Sequence, residues 1–227
     1  MSIEFNKHLT VGKQLVRAAW RYPDKEAIVC KGKRLTYREL NDRVNSLAHG
    51  LMELGIRKGD FVAVILMNRS EFVETYFALA KIGAIAAPIN YRLTPSDIEQ
   101  LINQCEAKAL IYGSEFKDLV GGLRPKLGSV KHYIYVGEGE AEDTVPYGSL
   151  AVGHSTEEPA VEIFQDDGQY VNYTSGTTGL PKASIMTHYN NLMAVMQIVL
   201  EMGLNWNWVL MTVFPLFHRV GLSLIHI

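Results

Sequence analysis

The sequence predicts an α/β fold with mostly parallel sheets, and three observations lead to this prediction. Strand-like and helix-like segments alternate from residue 33 to residue 136, one strand-like run is apolar without interruption, and capping residues stand at predicted helix starts. Repeated strand–helix–strand units form right-handed crossovers, which lay successive strands parallel. An uninterrupted apolar strand is typical of a sheet that is covered on both faces.

The first helix of this pattern is predicted to begin after Thr36. Thr36 and Glu39 have the spacing of a capping box, in which each side chain binds a backbone N–H group near the other residue. Gly55 is a suitable helix end. The apolar residues between them recur at helical spacing and are Leu40, Val44, Leu47, Leu51 and Leu54.

Four strands and two further helices are predicted before residue 137. The second of these helices opens with Thr94 as its N-cap and Pro95 in its first turn, a combination that favours a helix start. The predicted strands cover 61–67, 84–89, 108–112 and 132–136, and the predicted helices cover 70–82 and 95–104.

A long polar connection is expected to divide the chain. Residues 137–167 are rich in Gly, Glu, Asp, Ser and Pro, and they have few periodic apolar positions. We therefore expect a first α/β subdomain over 1–136, a connecting loop segment over 137–167 and the start of a second α/β subdomain over 168–221. The second subdomain is predicted to contain strands at 169–173, 183–186 and 209–213 and a helix at 188–202.

Apolar residues late in the chain are expected to belong to the core. The predicted helix at 188–202 carries apolar residues at helical spacing, which is more typical of a core face than of a lipid-binding stripe. Trp206 and Trp208 precede a predicted strand and are expected to pack. The apolar residues of the helix are Met193, Val195, Met196, Val199 and Leu200.

Composition and charge argue against several classes of function. The chain has 227 residues, of which 48% are hydrophobic, and a formal charge of −2. We therefore expect neither nucleic-acid binding nor a membrane-surface patch. No stretch reaches the roughly 20 apolar residues of a transmembrane segment, and the N-terminus lacks a secretory signal pattern. Two cysteines outside any metal-ligand spacing suit a reducing compartment, so a cytoplasmic location is expected.

Residues 173–182, YTSGTTGLPK, carry the most chemical information. The glycines let backbone N–H groups approach an anion, the hydroxyl groups add donors, and Lys182 adds a compact positive charge. This composition suits a polyphosphate, and a Ser/Thr/Gly-rich turn between two strands is the alternative. The segment is not a Walker loop, because Gly179 stands three residues before the lysine and a strand, not a helix, is predicted to follow.

This segment resembles the signature loop of the adenylate-forming, or AMP-binding, enzymes. The family includes acyl-CoA synthetases, luciferases and the adenylation domains of peptide synthetases, and its loop is Tyr or Phe followed by T-S-G-T-T-G-x-P-K-G. The sequence departs from this pattern at Ala183, where the family usually has Gly. Four further segments resemble family motifs in the same order, so the likeness extends over nearly the whole chain: 36–40, 55–60, 187–190 (T-H-x-N) and 215–221 (P-x-F-H-x-x-G).

Residues 83–94, GAIAAPINYRLT, point to one branch of that family. They resemble the equivalent stretch of acyl- and aryl-CoA ligases, whereas peptide-synthetase adenylation domains more often have a P-x-D-P-x-Y-P pattern there. The alternative is a strand-to-helix turn that any branch could contain. The residues that carry the likeness are Pro88, Ile89, Asn90, Arg92 and Leu93.

The resemblance implies an AMP-forming acid–thiol ligase. Such an enzyme activates a carboxylic acid, here expected to be a fatty acid, with ATP through an acyl-adenylate, and coenzyme A then accepts the acyl group. Lys182 and His218 are the implied catalytic residues, and Thr174 is also implied to contact Mg²⁺. The residues implied to hold the β- and γ-phosphates of ATP are Thr174, Ser175, Gly176, Thr177, Thr178, Gly179 and Lys182.

The sequence resembles only the N-terminal part of such an enzyme. The family motifs for adenine and ribose, the hinge and the C-terminal lysine are absent, so we expect an incomplete region that is inactive alone. Residues 222–227, LSLIHI, can be encoded by the mosaic-end adapter of a transposase-based sequencing library, and we expect them to derive from it. Two alternatives stay open: a non-catalytic fragment that binds nucleotide phosphate, and a peptide-synthetase-type or luciferase-type enzyme.

Overall fold

A computed structural model describes residues 9–139, 141–174, 182–218 and 221, and this part of the chain contains nine strands and seven α-helices. The segment 222–227 lies outside the described residues. The strands are β1 (Glu26–Cys30), β2 (Lys33–Thr36), β3 (Phe61–Ile65), β4 (Ile85–Pro88), β5 (Ala109–Gly113), β6 (His132–Val136), β7 (Val145–Pro146), β8 (Gly168–Thr174) and β9 (Lys182–Thr187). The helices are α1 (Val11–Arg21), α2 (Tyr37–Glu53), α3 (Ser70–Ile82), α4 (Pro95–Gln104), α5 (Lys117–Leu123), α6 (Tyr147–Ala151) and α7 (His188–Glu201).

Seven of the strands form one sheet in the order β7-β6-β5-β3-β4-β8-β9. Every neighbouring pair in this sheet is parallel except β8 and β9, which are antiparallel. β1 and β2 form a separate antiparallel pair. The predicted α/β fold with a mostly parallel sheet is therefore confirmed. α1 and β1 precede the alternating pattern and were not predicted.

Helices cover both faces of the large sheet. Alternate residues of β3 point to opposite sides: Val62 and Val64 pack in the core that includes α1, α2, α3 and α6, whereas Ala63 and Ile65 pack in the core that includes α4 and α5. All four side chains are at most 2% exposed. This two-sided burial is the reason for the uninterrupted apolar run of the strand.

Side-chain caps start α2 and α4 as the sequence predicts. Thr36 accepts the Glu39 backbone N–H at 3.2 Å, and the Glu39 carboxylate accepts the Thr36 backbone N–H at 2.8 Å. The Thr94 hydroxyl accepts the Asp97 backbone N–H at 3.2 Å, and Pro95 stands in the first turn of α4. Gly55 follows α2 with a φ of +85°, a backbone conformation that favours glycine.

The polar connection is more ordered than expected. It contains β7 and α6, and Tyr147, Leu150 and Ala151 are buried against the core that includes α2. The expectation of a surface loop over the whole of 137–167 was therefore wrong. The three buried residues of α6 are too few to produce a visible helical period in the sequence.

The strands after this connection extend the sheet of the first α/β unit. β8 pairs with β4 through Tyr170 and Ala86, and β9 pairs with β8 on its far side. Residues 168–187 thus complete one edge of the same seven-stranded sheet. The division of the chain into subdomains at 136 and 168 stays a prediction.

The expected core positions late in the chain are mostly exposed. Among the apolar residues named for α7, Val195 is buried, whereas Met196 and Leu200 are 52% and 76% exposed. Trp206 and Trp208 are also exposed, although the Trp206 ring stacks on Tyr22 at 6.1 Å between centroids. No strand forms at 209–213. The core expectation is confirmed for Val195 and wrong for Met196, Leu200 and Trp208, because apolar character does not by itself put a side chain inside a protein.

None of the helices in the described ranges is long and apolar enough to cross a membrane.

Candidate active site

The predicted phosphate-binding segment joins β8 to β9. The two strands pair from Gly168 opposite Thr187 to Thr174 opposite Lys182, so they form an antiparallel hairpin whose strands end where the segment begins and finishes. This confirms the two flanking strands expected from the sequence. The side chain of Thr174 lies outside the described residues, as do Ser175, Gly176, Thr177, Thr178 and Gly179, and their phosphate contacts stay predictions.

The β8–β9 hairpin opens at the end of the sheet where the parallel strands have their last residues. This end is called the carboxyl edge below. Because β8 runs parallel to β4, Thr174 lies at the same edge as the last residues of β3, β4 and β5. The chain passes from β3 to β4 on one side and then crosses to β5 on the other, so this edge contains a topological switch point. Ligands of open α/β sheets bind in the crevice at such a point.

Three buried polar side chains hold the first half of the hairpin to the core. The Tyr76 hydroxyl donates to Gln169 Oε1 at 2.8 Å, and Asn191 Nδ2 donates to the Tyr76 hydroxyl at 2.6 Å and to Gln169 Oε1 at 3.0 Å. Burial raises the pKa of Tyr76 well above its ordinary value. The hydroxyl is therefore neutral and can donate, and it links α3, β8 and α7.

Tyr173 fixes the strand immediately before the signature segment. Its hydroxyl donates to the Leu101 carbonyl of α4 at 3.4 Å, and the Cys105 thiol, which donates to the Ile102 carbonyl at 3.4 Å, lies beside it. Burial raises the pKa of the Tyr173 hydroxyl far above its ordinary value, and burial also raises the pKa of the Cys105 thiol. Both groups are consequently neutral, and the last residues of β8 are held against the end of α4.

The T-H-x-N segment has a structural explanation in the described chain. Thr187 is the N-cap of α7, and its hydroxyl accepts the Asn190 backbone N–H at 3.1 Å. His188 is fully buried, and its Nδ1 accepts the Val11 backbone N–H at 3.3 Å. Burial lowers the pKa of His188 to about 4, against a smaller opposite effect of Asp167. The neutral imidazole therefore joins the start of α7 to α1.

Lys182 and His218 both lie near the carboxyl edge. Lys182 is the exposed first residue of β9, directly across the hairpin from Thr174. His218 is exposed in a turn in which its backbone N–H donates to the Pro215 carbonyl at 3.0 Å. The neighbouring Phe217 ring packs edge-to-face on Tyr91, which follows β4, at 5.0 Å between centroids. The fold thus brings both predicted catalytic residues to the carboxyl edge of the sheet.

The stretch that indicates a CoA ligase forms the end of β4 and the turn into α4. Ile89 is fully buried, and Asn90 Oδ1 accepts the Arg92 backbone N–H at 3.0 Å. The Arg92 guanidinium lies over the Tyr91 ring at 5.9 Å from its centroid. Locally this is a strand-to-helix turn, and it stands beside the His218 turn.

Sequence reasoning missed Asn68, a polar residue of this edge. It lies between β3 and α3, and its side chain makes two hydrogen bonds with the backbone that precedes His218. The signal that could have identified it is its position, because a polar residue just after a buried parallel strand stands where α/β proteins place ligand-binding groups. The side chains of Gln169 and Asn191 carried no comparable signal.

Comparison with known proteins identifies the family of this chain. A protein family described as AMP-binding enzyme matches residues 15–227. A crotonobetaine/carnitine–CoA ligase of Salmonella agona is 35% identical over 224 residues, which cover 92% of this chain and 43% of the relative.

Two solved structures give the same result. A fatty acyl CoA synthetase of Mycobacterium tuberculosis superimposes with a TM-score of 0.87 at 29% identity, covering 98% of this chain and 43% of that one. The anthranilate CoA ligase AuaEII, solved with anthranoyl-AMP, gives a TM-score of 0.81 at 27% identity, covering 85% and 37%. The chain spans less than half the length of these proteins. Because the family match extends over residues 15–227, this chain belongs to the family of AMP-binding enzymes.

Proposed function

We propose that this chain provides the ATP-binding part of an AMP-forming acid–thiol ligase that makes acyl-CoA from a carboxylic acid, with fatty acids as the substrate class. The observation that carries the proposal is the β8–β9 hairpin. Its strands end at Thr174 and Lys182, at the carboxyl edge of a parallel sheet, and the sequence between these two residues is rich in hydroxyl residues and glycines. That edge is where an α/β fold binds a nucleotide.

The proposed reaction has two balanced steps. A carboxylate oxygen attacks the α-phosphorus of ATP, and the bond to the β-phosphate oxygen breaks, so that acyl-adenylate and pyrophosphate form. The sulfur of coenzyme A then attacks the acyl carbonyl, the thiol proton is lost to a base or to water, and AMP leaves. Both steps depend on positioning and on neutralising phosphate charge.

The residues of the hairpin suit the first step. Backbone N–H groups and hydroxyls between Thr174 and Gly179 would bind the β- and γ-phosphate oxygens, and Lys182 would neutralise part of their charge. ATP would enter as its Mg²⁺ complex, and the Thr174 hydroxyl is an oxygen ligand of the kind that Mg²⁺ prefers. His218 would lie beside the carboxylate and the α-phosphate.

The similar proteins support the acyl-CoA product. The relative from Salmonella agona is a CoA ligase by name, and the two similar structures are a fatty acyl CoA synthetase and an anthranilate CoA ligase. The last was solved with an acyl-adenylate, which is the intermediate proposed here. Among these three proteins, the acid substrates in the names are aliphatic or aromatic, and coenzyme A is the acyl acceptor in each name.

Carboxylate-dependent ATP–pyrophosphate exchange tests the proposal. It is run on this chain and on a longer protein that carries it as its N-terminal part, with fatty acids, aromatic acids and amino acids as substrates. We expect exchange with fatty acids in the longer protein, followed by thioester formation when coenzyme A is added. Exchange with amino acids alone, or adenylate formation without a CoA thioester, would contradict the acyl-CoA assignment.

A further inference from the structure

Asn68 holds the backbone before His218 with both ends of its side-chain amide. Its Nδ2 donates to the Phe214 carbonyl at 2.9 Å, and its Oδ1 accepts the Leu216 backbone N–H at 2.9 Å. Asn68 itself follows β3, the strand beside the topological switch point. A side chain that begins at the carboxyl edge therefore determines where the chain passes two residues before the histidine.

The two hydrogen bonds run in opposite directions and fix more than a distance. An amide that donates to one backbone group and accepts from another two residues away also fixes the orientation of the segment between them. That segment contains Pro215, which has no N–H group. The Pro215 carbonyl accepts the His218 backbone N–H, so the held segment leads directly into the turn that carries the imidazole.

The surroundings of this turn differ on its two sides. The residues before it are largely exposed: Val209 is 89%, Met211 is 83% and Val213 is 66% exposed. The Leu216 side chain is buried in the core, and the Phe217 ring packs on Tyr91. The Asn68 amide is thus a main polar attachment of the turn in the described part of the chain.

We propose that Asn68 is a positioning residue of the adenylation step, which acts by holding His218 at the carboxyl edge and does not itself contact substrate. This inference rests on the proposed function. Loss of the amide lets the His218 turn shift, and a displacement of about 1 Å of a reacting group reduces rates by up to roughly 100-fold. Binding of the triphosphate at the β8–β9 hairpin uses other residues and is retained.

A double-mutant cycle in the longer, active protein tests this role. Asn68→Ala is expected to lower kcat of ATP–pyrophosphate exchange by about 10- to 100-fold and to leave KM for ATP within about twofold. In the His218→Ala background the same change is expected to cost less than about twofold, because the two residues act through one group. Asn103→Ala is the matched control, since it removes an exposed asparagine hydrogen bond, to the Lys126 carbonyl at 3.1 Å.

Two kinetic results would overturn the proposal. One is an equal loss of activity from Asn68→Ala with and without His218, because a merely structural role gives additive effects. The other is a rise in KM for ATP at unchanged kcat, which would assign Asn68 to nucleotide binding.

Amide hydrogen exchange tests the Asn68 hydrogen bond without a variant that must fold and without an activity assay. In the unaltered chain the Leu216 N–H is expected to exchange more slowly than the N–H groups of exposed residues such as Met211. Exchange at the unprotected rate would contradict the Asn68 contact directly, even if Asn68→Ala failed to fold. Absence of any carboxylate-dependent exchange in the longer protein would instead count against the proposed function.

Discussion

Asn191 of α7 donates a 2.6 Å hydrogen bond to the hydroxyl of Tyr76 of α3, and both side chains are buried. The two residues are 115 positions apart in the chain. Their contact, completed by Gln169, ties the start of the β8–β9 hairpin to the core of the sheet. These hydrogen bonds fix the strand that leads into the predicted phosphate-binding segment.

Removing the Tyr76 hydroxyl should destabilise the fold. Tyr76→Phe leaves the amides of Gln169 and Asn191 short of a buried partner, which costs about 1–3 kcal/mol of unfolding free energy. Urea denaturation measures this difference. Tyr189→Phe is the control, because Tyr189 is 41% exposed and its change should cost less than about 0.5 kcal/mol. Equal effects of the two changes would contradict the assigned role of the cluster.

Glu74 should be among the most sensitive charged residues of the fold. Its fully buried carboxylate accepts hydrogen bonds from Arg43 at 3.0 and 2.8 Å and from Lys33 at 3.0 Å. Glu74→Ala leaves the half-buried Arg43 guanidinium without its counter-charge, so we expect a loss of about 3–5 kcal/mol.

A surface ion pair provides the comparison for Glu74. Glu26 pairs with Arg34 where both side chains are more than half exposed, and Glu26→Ala should cost less than about 1 kcal/mol. Thermal and urea unfolding of the two variants measure the difference. A Glu74→Ala protein as stable as Glu26→Ala would show that the buried cluster contributes no specific stability.

The buried His188 should make the fold sensitive to mild acid. Its pKa is about 4 in the folded chain and 6.5 is its ordinary value, so the unfolded chain binds the extra proton as the pH falls below 6.5. Stability contributed by the neutral ring is therefore complete above pH 6.5 and decreases towards pH 4. Between pH 7 and 5 the expected loss is about 2 kcal/mol.

His188→Asn isolates this effect in unfolding experiments over the same pH range. The asparagine oxygen can accept the Val11 N–H, and the side chain does not titrate. We expect a lower stability at pH 7, because a ring is lost from the core, but a shallower decline down to pH 5. If the variant and the unaltered chain declined in parallel, another group would be responsible.

The exposed apolar residues at 209–214 should promote self-association of the isolated chain. Val209 and Met211 are 89% and 83% exposed, and Val213 and Phe214 of the same segment are 66% and 50% exposed. Contiguous apolar patches of this kind favour aggregation. The combined change Val209→Ser and Met211→Ser is expected to raise the monomer fraction in analytical ultracentrifugation at unchanged melting temperature. An unchanged monomer fraction would contradict the prediction.

Local features of the fold were predictable, and long-range ones were not. The caps at Thr36 and Thr94 depend on residues three positions apart, and the two strands of the hairpin flank a segment with an unmistakable composition. The pairing of β8 with β4 is different, because it joins residues far apart in the chain. The periodicity of apolar residues gives no information about such a long-range contact.

The candidate site shows the same difference between what could and what could not be predicted from the sequence. The resemblance identified Lys182 and His218, and the structure brings both to the carboxyl edge of the sheet. Asn68 could not be connected with His218 from the sequence, since its partners Phe214 and Leu216 lie 146 and 148 residues away. Hydrogen bonds of that range are visible only once the topology is known.

We propose that the β8–β9 hairpin binds the outer phosphates of ATP through the segment that ends at Lys182. The most direct measurement is ATP–pyrophosphate exchange by the longer protein carrying Lys182→Ala. Lys131→Ala is the control, because Lys131 is an exposed lysine that directly precedes β6, at the end of the sheet opposite to the carboxyl edge. We predict a loss of about 100- to 1,000-fold for Lys182→Ala and an unchanged rate for Lys131→Ala. An unchanged exchange rate in Lys182→Ala would contradict the proposed phosphate-binding role of this segment.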